Sequence, residues 1–236
     1  MRSAVLLSGG LDSAVLLAEE AARDPVQPIY VSVGLAWEAT EREAVARLLA
    51  HDAFRLAGAL VTLSVDMRDV YAAAHWAVQG TPPAYHTPDE DVYLPGRNIV
   101  LLGKAGVYCA AAHIGRIVLG TLGHNPFPDA TPEFRSTMAL ALSLGLAHDL
   151  TVDAPYAALG KAEVVRRGAA LGVPLELTMS CMNPQDVVKK GRGVRPLFRH
   201  CGACSKCRER HDAFLDAKLP DPTEYANTAH IQGFGG

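Results

Sequence analysis

No stretch of this 236-residue chain approaches the ~18 uninterrupted apolar residues of a membrane span, so none is expected. Aromatic residues are scarce, at 6%, and charge is nearly balanced, with 22 Lys and Arg against 25 Asp and Glu. A net charge of −3 gives no footprint of a general nucleic-acid binder, though it leaves room for a local basic patch. Five cysteines are too few for a disulfide scaffold. A cleaved leader is not expected, because Met1-Arg2-Ser3 runs straight into an apolar strand and a glycine loop. There is no internal repeat and no low-complexity tract. What the chain has is apolar material, 49% by composition, enough for one large α/β domain or one domain with a small appendix.

Strands and helices alternate. Residues 4–7, 29–33, 60–65, 117–119 and 150–152 read as short apolar strands, and 12–23, 38–56, 97–113, 132–146 and 161–171 as helices. Thr40 and Glu43 suggest a capping box near the start of the second helix. The order predicts an α/β fold with a doubly wound, Rossmann-like parallel sheet of five strands, and ligands at the carboxyl ends of those strands. Residues 1–177 form this domain. Residues 178–236, where the periodicity fades, form a small helical region carrying cysteines. Residues 66–94 break the rhythm with Pro82, Pro83 and Pro88, and are either a lid or a disordered excursion. His75, Trp76, Tyr85 and His86 in that insertion would cover a bound ring or pack on one another. His113 and His211 read as helix-surface histidines, and Cys109 as core packing.

Leu7 ends the first strand, and Ser8-Gly9-Gly10-Leu11-Asp12-Ser13 follows it. Adjacent glycines permit backbone angles closed to other residues. They let successive N–H groups turn inward as an anion nest, to which the next helix adds its positive end. Ser8 and Ser13 supply hydroxyls, and an acid among phosphates, Asp12, makes sense with a Mg²⁺ ion. The plainer alternative is a turn whose helix is capped by Asp12 or Ser13. Gly-Gly-x-Asp-Ser arises by chance about once in 10⁵ positions. A Walker lysine is absent, so this is not a phosphoryl-transferring P-loop.

Three further places carry candidate chemistry. Arg97 opens a helix after Pro-Gly and offers a rigid fork to phosphate or carboxylate; Asn98 beside it suits a phosphate, a base edge or a cap. Lys161 opens a helix where the dipole disfavours a cation, which asks for an anionic partner such as a phosphate. His124, Asn125 and Asp129 lie in the loop after the fourth strand, where a substrate binds, and Asp129 suits a guanine-like edge.

Cys201, Cys204 and Cys207 are spaced C-x2-C-x2-C, with Cys181 upstream. In a chain without a leader, this reads as a metal site in a reducing compartment, the cytoplasm. Four thiolates would enclose a structural Zn²⁺ with no open position. An iron–sulfur cluster is the alternative, although the place of its next cysteine is taken by His211. Residues 187–211 carry eight Lys and Arg against one acid, which suits a nucleic-acid binder or a wall for a triphosphate. With Phe198 the sole aromatic there, stacking on single strands is not supported, and a nucleic-acid partner is not expected.

Ser8-Gly9-Gly10-Leu11-Asp12-Ser13 resembles the signature of the PP-loop ATP pyrophosphatases. Within that superfamily the chain resembles the 7-cyano-7-deazaguanine synthase family (QueC, ExsB-like) over nearly its whole length. The segments that carry the likeness are Leu94-Pro95-Gly96-Arg97-Asn98, Phe127-Pro128-Asp129 with Pro132-Glu133-Phe134, and Lys161-Ala162-Glu163-Val164-Val165. Gly172-Val173-Pro174, Leu177-Thr178-Met179-Ser180-Cys181 and Cys201-Gly202-Ala203-Cys204-Ser205-Lys206-Cys207 complete it. It departs at Val33-Gly34-Leu35-Ala36-Trp37-Glu38, where the family carries Tyr-Gly-Gln-x-His, and at Ala130-Thr131, where it carries Cys-Arg. Both departures are expected to face the substrate.

The resemblance implies an adenine nucleotide alpha hydrolase-like fold, a homodimer and an ATP-dependent carbon–nitrogen ligase of queuosine precursor biosynthesis. It would convert 7-carboxy-7-deazaguanine and ammonia to 7-cyano-7-deazaguanine through an adenylated acid and an adenylated amide. ATP would lie on Leu7, Ser8, Gly9, Gly10, Leu11, Asp12, Ser13, Arg97 and Asn98. Asp12, Ser13, Arg97 and Lys161 would act in catalysis, His124, Asn125 and Asp129 would meet the substrate, and Cys181, Cys201, Cys204 and Cys207 would hold zinc. One alternative is a related ligase with a changed acceptor, stopping at an amide or joining a deazapurine acid to a protein or other amine. Another is a zinc-knuckle tRNA-modifying enzyme, which would need a catalytic cysteine where Cys109 alone remains.

Overall fold

The computed structural model describes residues 2–123, 125–186 and 198–231. Five strands form one parallel sheet: β1 (Ser3–Leu6), β2 (Val26–Ser32), β3 (Val61–Ser64), β4 (Arg116–Val118) and β5 (Thr151–Asp153). Their order is β3-β2-β1-β4-β5, so the chain winds outward to β3 and then restarts beside β1. The doubly wound parallel sheet expected from the alternation is present. Its switch point, between β1 and β4, is where such sheets bind ligands.

Alternation along each strand sorts the core into two layers. Ala4, Ile29 and Ile117 join the layer beneath α4 (Arg97–Ala111), with Leu102, Ala105 and Cys109. Val5, Tyr30 and Val118 join the other, with α1 (Leu11–Ala21), α6 (Lys161–Ala170) and α7 (Ser205–Ala217). Strands covered on both faces need this nearly all-apolar composition. Cys109 is wholly buried, as its apolar setting predicts.

The C-terminal region is sewn into the second layer. Ala213, Phe214 and Ala217 of α7 pack there, and Arg210 is fully buried. Its guanidinium donates to Leu175 O at 2.7 Å and to the Thr178 and Thr223 hydroxyls at 2.7 and 2.6 Å.

Several local expectations are corrected. The second helix, α2 (Glu38–Leu49), stops seven residues early, where His51 turns the chain into a 3-10 segment, Asp52–Phe54. Thr40 and Glu43 form no capping box, because the helix begins at Glu38 and both lie inside it. Glu38 instead reaches back to the Val33 and Gly34 N–H groups at 2.7 and 3.1 Å. His211 is not on the surface; it is buried with its ring 3.3 Å from Asp221. The insertion is ordered, with a one-turn α3 (Trp76–Gln79) and with Met67, Tyr71, Ala77 and Val92 in the core. Arg208 donates to Thr87 O at 3.1 Å, and Asp89 faces Lys206 and Arg208, which ties the insertion to α7. Tyr85 and His86 pack on His230, whereas Trp76 turns toward the switch point.

Candidate active site

A cleft opens at the carboxyl ends of β2, β1 and β4. Its smaller chamber, about 230 Å³, is floored by Ile29, Tyr30, Val31, Leu101 and Leu119. The larger, about 430 Å³, has an aromatic part to its wall, with Trp37, Trp76 and Phe127, and an ionic part, with Lys161, Lys206 and Glu209. Ser8, Gly10, Asp12, Glu41, Arg97 and Asn125 border both, so the chambers join at these residues.

The glycine loop is built to keep its donors inward. Gly9 has φ +80°, and a Cβ there would meet Val45 at 3.1 Å and the Glu41 carbonyl at 3.3 Å. Gly120, after β4, passes the start of α1 so closely that a Cβ would lie 3.3 Å from Ser13 N. Ser8 N donates to Ser13 Oγ at 3.3 Å, and Ser13 Oγ donates to Gly10 O at 3.1 Å. The residue capping α1 is Gly10, not Asp12 or Ser13, and no side chain caps it. The first-turn N–H groups are therefore left uncapped at the edge of the cleft, which Leu11 and Asp12 line, as an anion site requires.

Asp12 presents one oxygen to Lys161 Nζ at 3.0 Å, while Oδ1 is buried without a hydrogen-bond partner. Burial raises the Asp12 pKa, and Lys161 opposes that rise. Lys161 also donates to Glu209 at 2.6 Å, and Lys206 donates to the other Glu209 oxygen at 2.7 Å. Burial would lower the Lys161 pKa, but the two carboxylates outweigh it and hold it above the ordinary range. Burial likewise works against the Glu209 charge, and the two lysines bring its pKa down to about 2. The anionic partner that the sequence demanded for Lys161 is thus a carboxylate pair.

Arg97 follows Gly96 at the start of α4, and its Nε is buried without a hydrogen-bond partner. Asn98 and Asp129 are taken by one another: Asp129 accepts from Asn98 N at 3.1 Å, and Asn98 Nδ2 donates to Asp129 O at 3.0 Å. Neither lines either chamber, because this pairing buries Asp129 under the first turn of α4. Asn125 lines both chambers, with Oδ1 held by Phe127 N at 2.9 Å. His124 lies outside the described residues, as do Lys189, Lys190, Arg192 and Arg195 of the basic segment.

Lys206, Glu209 and Glu41 line the cleft without an individual role in the sequence reading, and Trp37 enters that reading only within the departing segment 33–38. Lys206 and Glu209 sit one turn apart at the start of α7, on either side of Cys207. Trp37 stacks on Trp76 with centroids 5.9 Å apart. Glu41 accepts from Tyr30 Oη at 2.9 Å and Trp37 Nε1 at 3.1 Å. It shares a stripe with Ala44, Val45 and Leu48, and an acid on an apolar stripe was the available signal.

The sulfurs of Cys181, Cys201, Cys204 and Cys207 lie within 4.8 Å of one another, and all four residues are buried. Cys201–Cys207 and Cys204–Cys207 are 3.8 and 3.5 Å apart. N–H groups of Asn183 and Cys201 point at Cys181 Sγ at 3.3 and 3.2 Å, which favours a thiolate. The arrangement fits one tetrahedral ion; a cluster with an iron for each thiolate needs its sulfurs farther apart.

The family description "Queuosine biosynthesis protein QueC" matches residues 2–218. The chain belongs to this family. A 7-cyano-7-deazaguanine synthase of Methanoculleus marisnigri is 34% identical over 236 residues, covering 95% of this chain and 99% of that protein. One from an Azoarcus species is 35% identical over 243 residues, covering 95% and 96%. Another, from Myxococcus xanthus, is 32% identical over 247 residues, covering 97% and 99%. The two departures from the QueC pattern now separate. Ala130 is buried and Thr131 caps α5 (Pro132–Leu146) by accepting from Phe134 N at 3.1 Å, so this segment does not face the cleft. Of the other segment, Trp37 reaches the larger chamber. Among the described residues, no helix is long and apolar enough to cross a membrane.

Proposed function

We propose that the chain is an ATP-dependent carbon–nitrogen ligase converting 7-carboxy-7-deazaguanine and ammonia to 7-cyano-7-deazaguanine through an adenylated acid and then an adenylated amide. The observation that carries this reading is the junction of the two chambers. There, uncapped helix N–H groups, the unpartnered Arg97 Nε and the unpartnered Asp12 Oδ1 converge. ATP takes the smaller chamber and the glycine loop, and the acid lies along Trp37 and Trp76 in the larger one. Arg97 and the loop donors then stabilise charge on the α-phosphate, and the two walls hold the carboxylate in line with it. Lys161, fixed between Asp12 and Glu209, holds the Asp12 carboxyl in place at the phosphate side.

Asp12 Oδ1 suits Mg²⁺, which would offset the charge of the departing pyrophosphate. For the four thiolates we assign zinc, since four bonds of about 2.3 Å put tetrahedral sulfurs about 3.8 Å apart. A four-thiolate metal site suits a reducing compartment, which supports the cytoplasm as the enzyme's location. A homodimer is supported by α5, which buries Ala139 alone among its fifteen residues and leaves Leu140 and Leu144 exposed. Light scattering on the purified protein checks that state.

Incubation with ATP, ammonium and the acid, followed by mass spectrometry, tests the activity. Nitrile with AMP is expected; ADP as the sole nucleotide product would overturn the reading. Trp37, standing where the QueC pattern has His, favours one second reading, a ligase with a different amine acceptor. Arrest at the amide, or loss of the acid only when an amine-bearing protein is added, would establish it.

A further inference from the structure

We propose that Glu41 is the catalytic acceptor of protons from nitrogen, serving both rounds of a reaction in which ammonia becomes first an amide and then a nitrile. The proposal rests on the ammonia-dependent ligase reading above. It starts from four carboxylates on the cleft wall: Asp12, Glu41, Asp89 and Glu209. Asp12 and Glu209 share Lys161, and Asp89 faces Lys206 and Arg208. Among the described residues, Glu41 alone of the four has no ion pair. It is bonded instead by neutral donors, Tyr30 Oη on one oxygen and Trp37 Nε1 on the other. Each carboxylate oxygen keeps a further acceptor direction.

Position supports the role. Glu41 borders both chambers, beside Arg97. Its backbone abuts Gly9, so α2 is locked against the phosphate loop. The groups facing it are Tyr30 from β2, Trp37 and Glu38 from the α2 end, and Arg97 from α4. Burial raises its pKa and Glu38 adds to this; Arg97, Tyr30 and Trp37 oppose, and the balance lies at about 7. A carboxyl near neutrality both takes and releases a proton at working pH.

In the first round ammonia forms a C–N bond to the adenylated carboxyl carbon, the C–O bond to AMP breaks, and one N–H proton passes to Glu41 and then to water. In the second, the amide oxygen displaces pyrophosphate from ATP. The nitrogen of that adenylated amide then gives up both hydrogens as protons, one after the other, while the C–N bond becomes triple and AMP departs. Adenylation itself removes no proton from nitrogen, and that difference makes the role separable.

The test compares two rates in the full-length protein: acid-dependent ATP–pyrophosphate exchange, and amide plus nitrile formation. Glu41→Gln is expected to keep exchange within about threefold and to lose at least about a hundredfold in product formation. In the wild type, product formation should fall on the acid side of about pH 7 while exchange does not. Tyr30→Phe removes a hydrogen bond that lowers the Glu41 pKa, so that limb should move to higher pH. Parallel loss of both rates in Glu41→Gln, or no loss, would overturn the proposal. Should that variant not fold, an acid limb shared by exchange, or unmoved in Tyr30→Phe, overturns it equally. Exchange without dependence on Glu41 sinks this role and leaves the ligase reading intact. Absence of acid-dependent exchange in the wild type sinks the ligase reading, and the proposal falls with it.

Discussion

The two walls of the cleft handle charge in opposite ways. On the ionic wall, Asp12, Lys161, Glu209 and Lys206 alternate in sign, and each cation touches a carboxylate. On the rest of the lining, Arg97 leaves Nε without a partner, and Glu41 is held by the neutral donors Tyr30 and Trp37. The difference teaches where ligand charge belongs. A paired wall keeps its side chains in position before any ligand arrives, so little reorganisation is needed. The groups without an ion pair are the ones whose hydrogen bonds a phosphate, a carboxylate or a departing proton would complete.

Removing one cation from each wall should break this comparison most visibly. Lys161→Ala strands the half-buried Asp12 beside Glu209, which keeps Lys206 alone. It is expected to cost about 3 kcal/mol of stability in urea titration, and about 10³-fold in exchange rate. Arg97→Ala should also lose exchange, yet stay within about 1 kcal/mol of wild type, because it strands no carboxylate. Equal destabilisation of the two would erase the distinction. The pH dependence has a definite sign. Glu209, normally 4.5, is held at about 2, so its contribution is complete above about pH 4.5 and lost as pH falls toward 2. Lys161→Ala should raise that acid limb.

A smaller effect is expected from the metal end of the ionic wall, since Cys204 caps the helix that carries Lys206 and Glu209. Cys204→Ser should release about one equivalent of zinc and lower the melting temperature by several degrees, read by elemental analysis and calorimetry. Iron with sulfide, or no metal in the wild type, would contradict the zinc assignment. The smallest effect belongs to the aromatic wall. Trp76→Ala should raise KM for the acid about tenfold and leave KM for ATP unchanged. A rise in both would mean that the stacked tryptophans do not face the acid.

What could be read from the sequence follows the range of the interactions. Ser8 to Ser13 bond within six residues, so strand, glycines and helix announced the loop locally. Cysteine spacing announced three of the clustered thiols, and alternation announced the sheet. Lys161 could be read as a cation lacking an anion, but its partners lie 149 and 48 residues away, and no local pattern names them. The same distance hid the Asn98–Asp129 pair, 31 residues apart, in which a residue expected to meet ATP and one expected to meet the substrate bond to one another. His211 was misjudged because helix periodicity does not reveal that the segment around Asp221 folds back over α7.

The most direct measurement follows oxygen. The acid is supplied with ¹⁸O at both carboxylate positions, together with ATP and ammonium, and AMP is weighed by mass spectrometry. Two adenylations on one carbon predict two AMP per nitrile, each carrying one ¹⁸O, with no label in ADP or inorganic phosphate. Label in inorganic phosphate, or ADP in place of AMP, would contradict the adenylation on which the account depends.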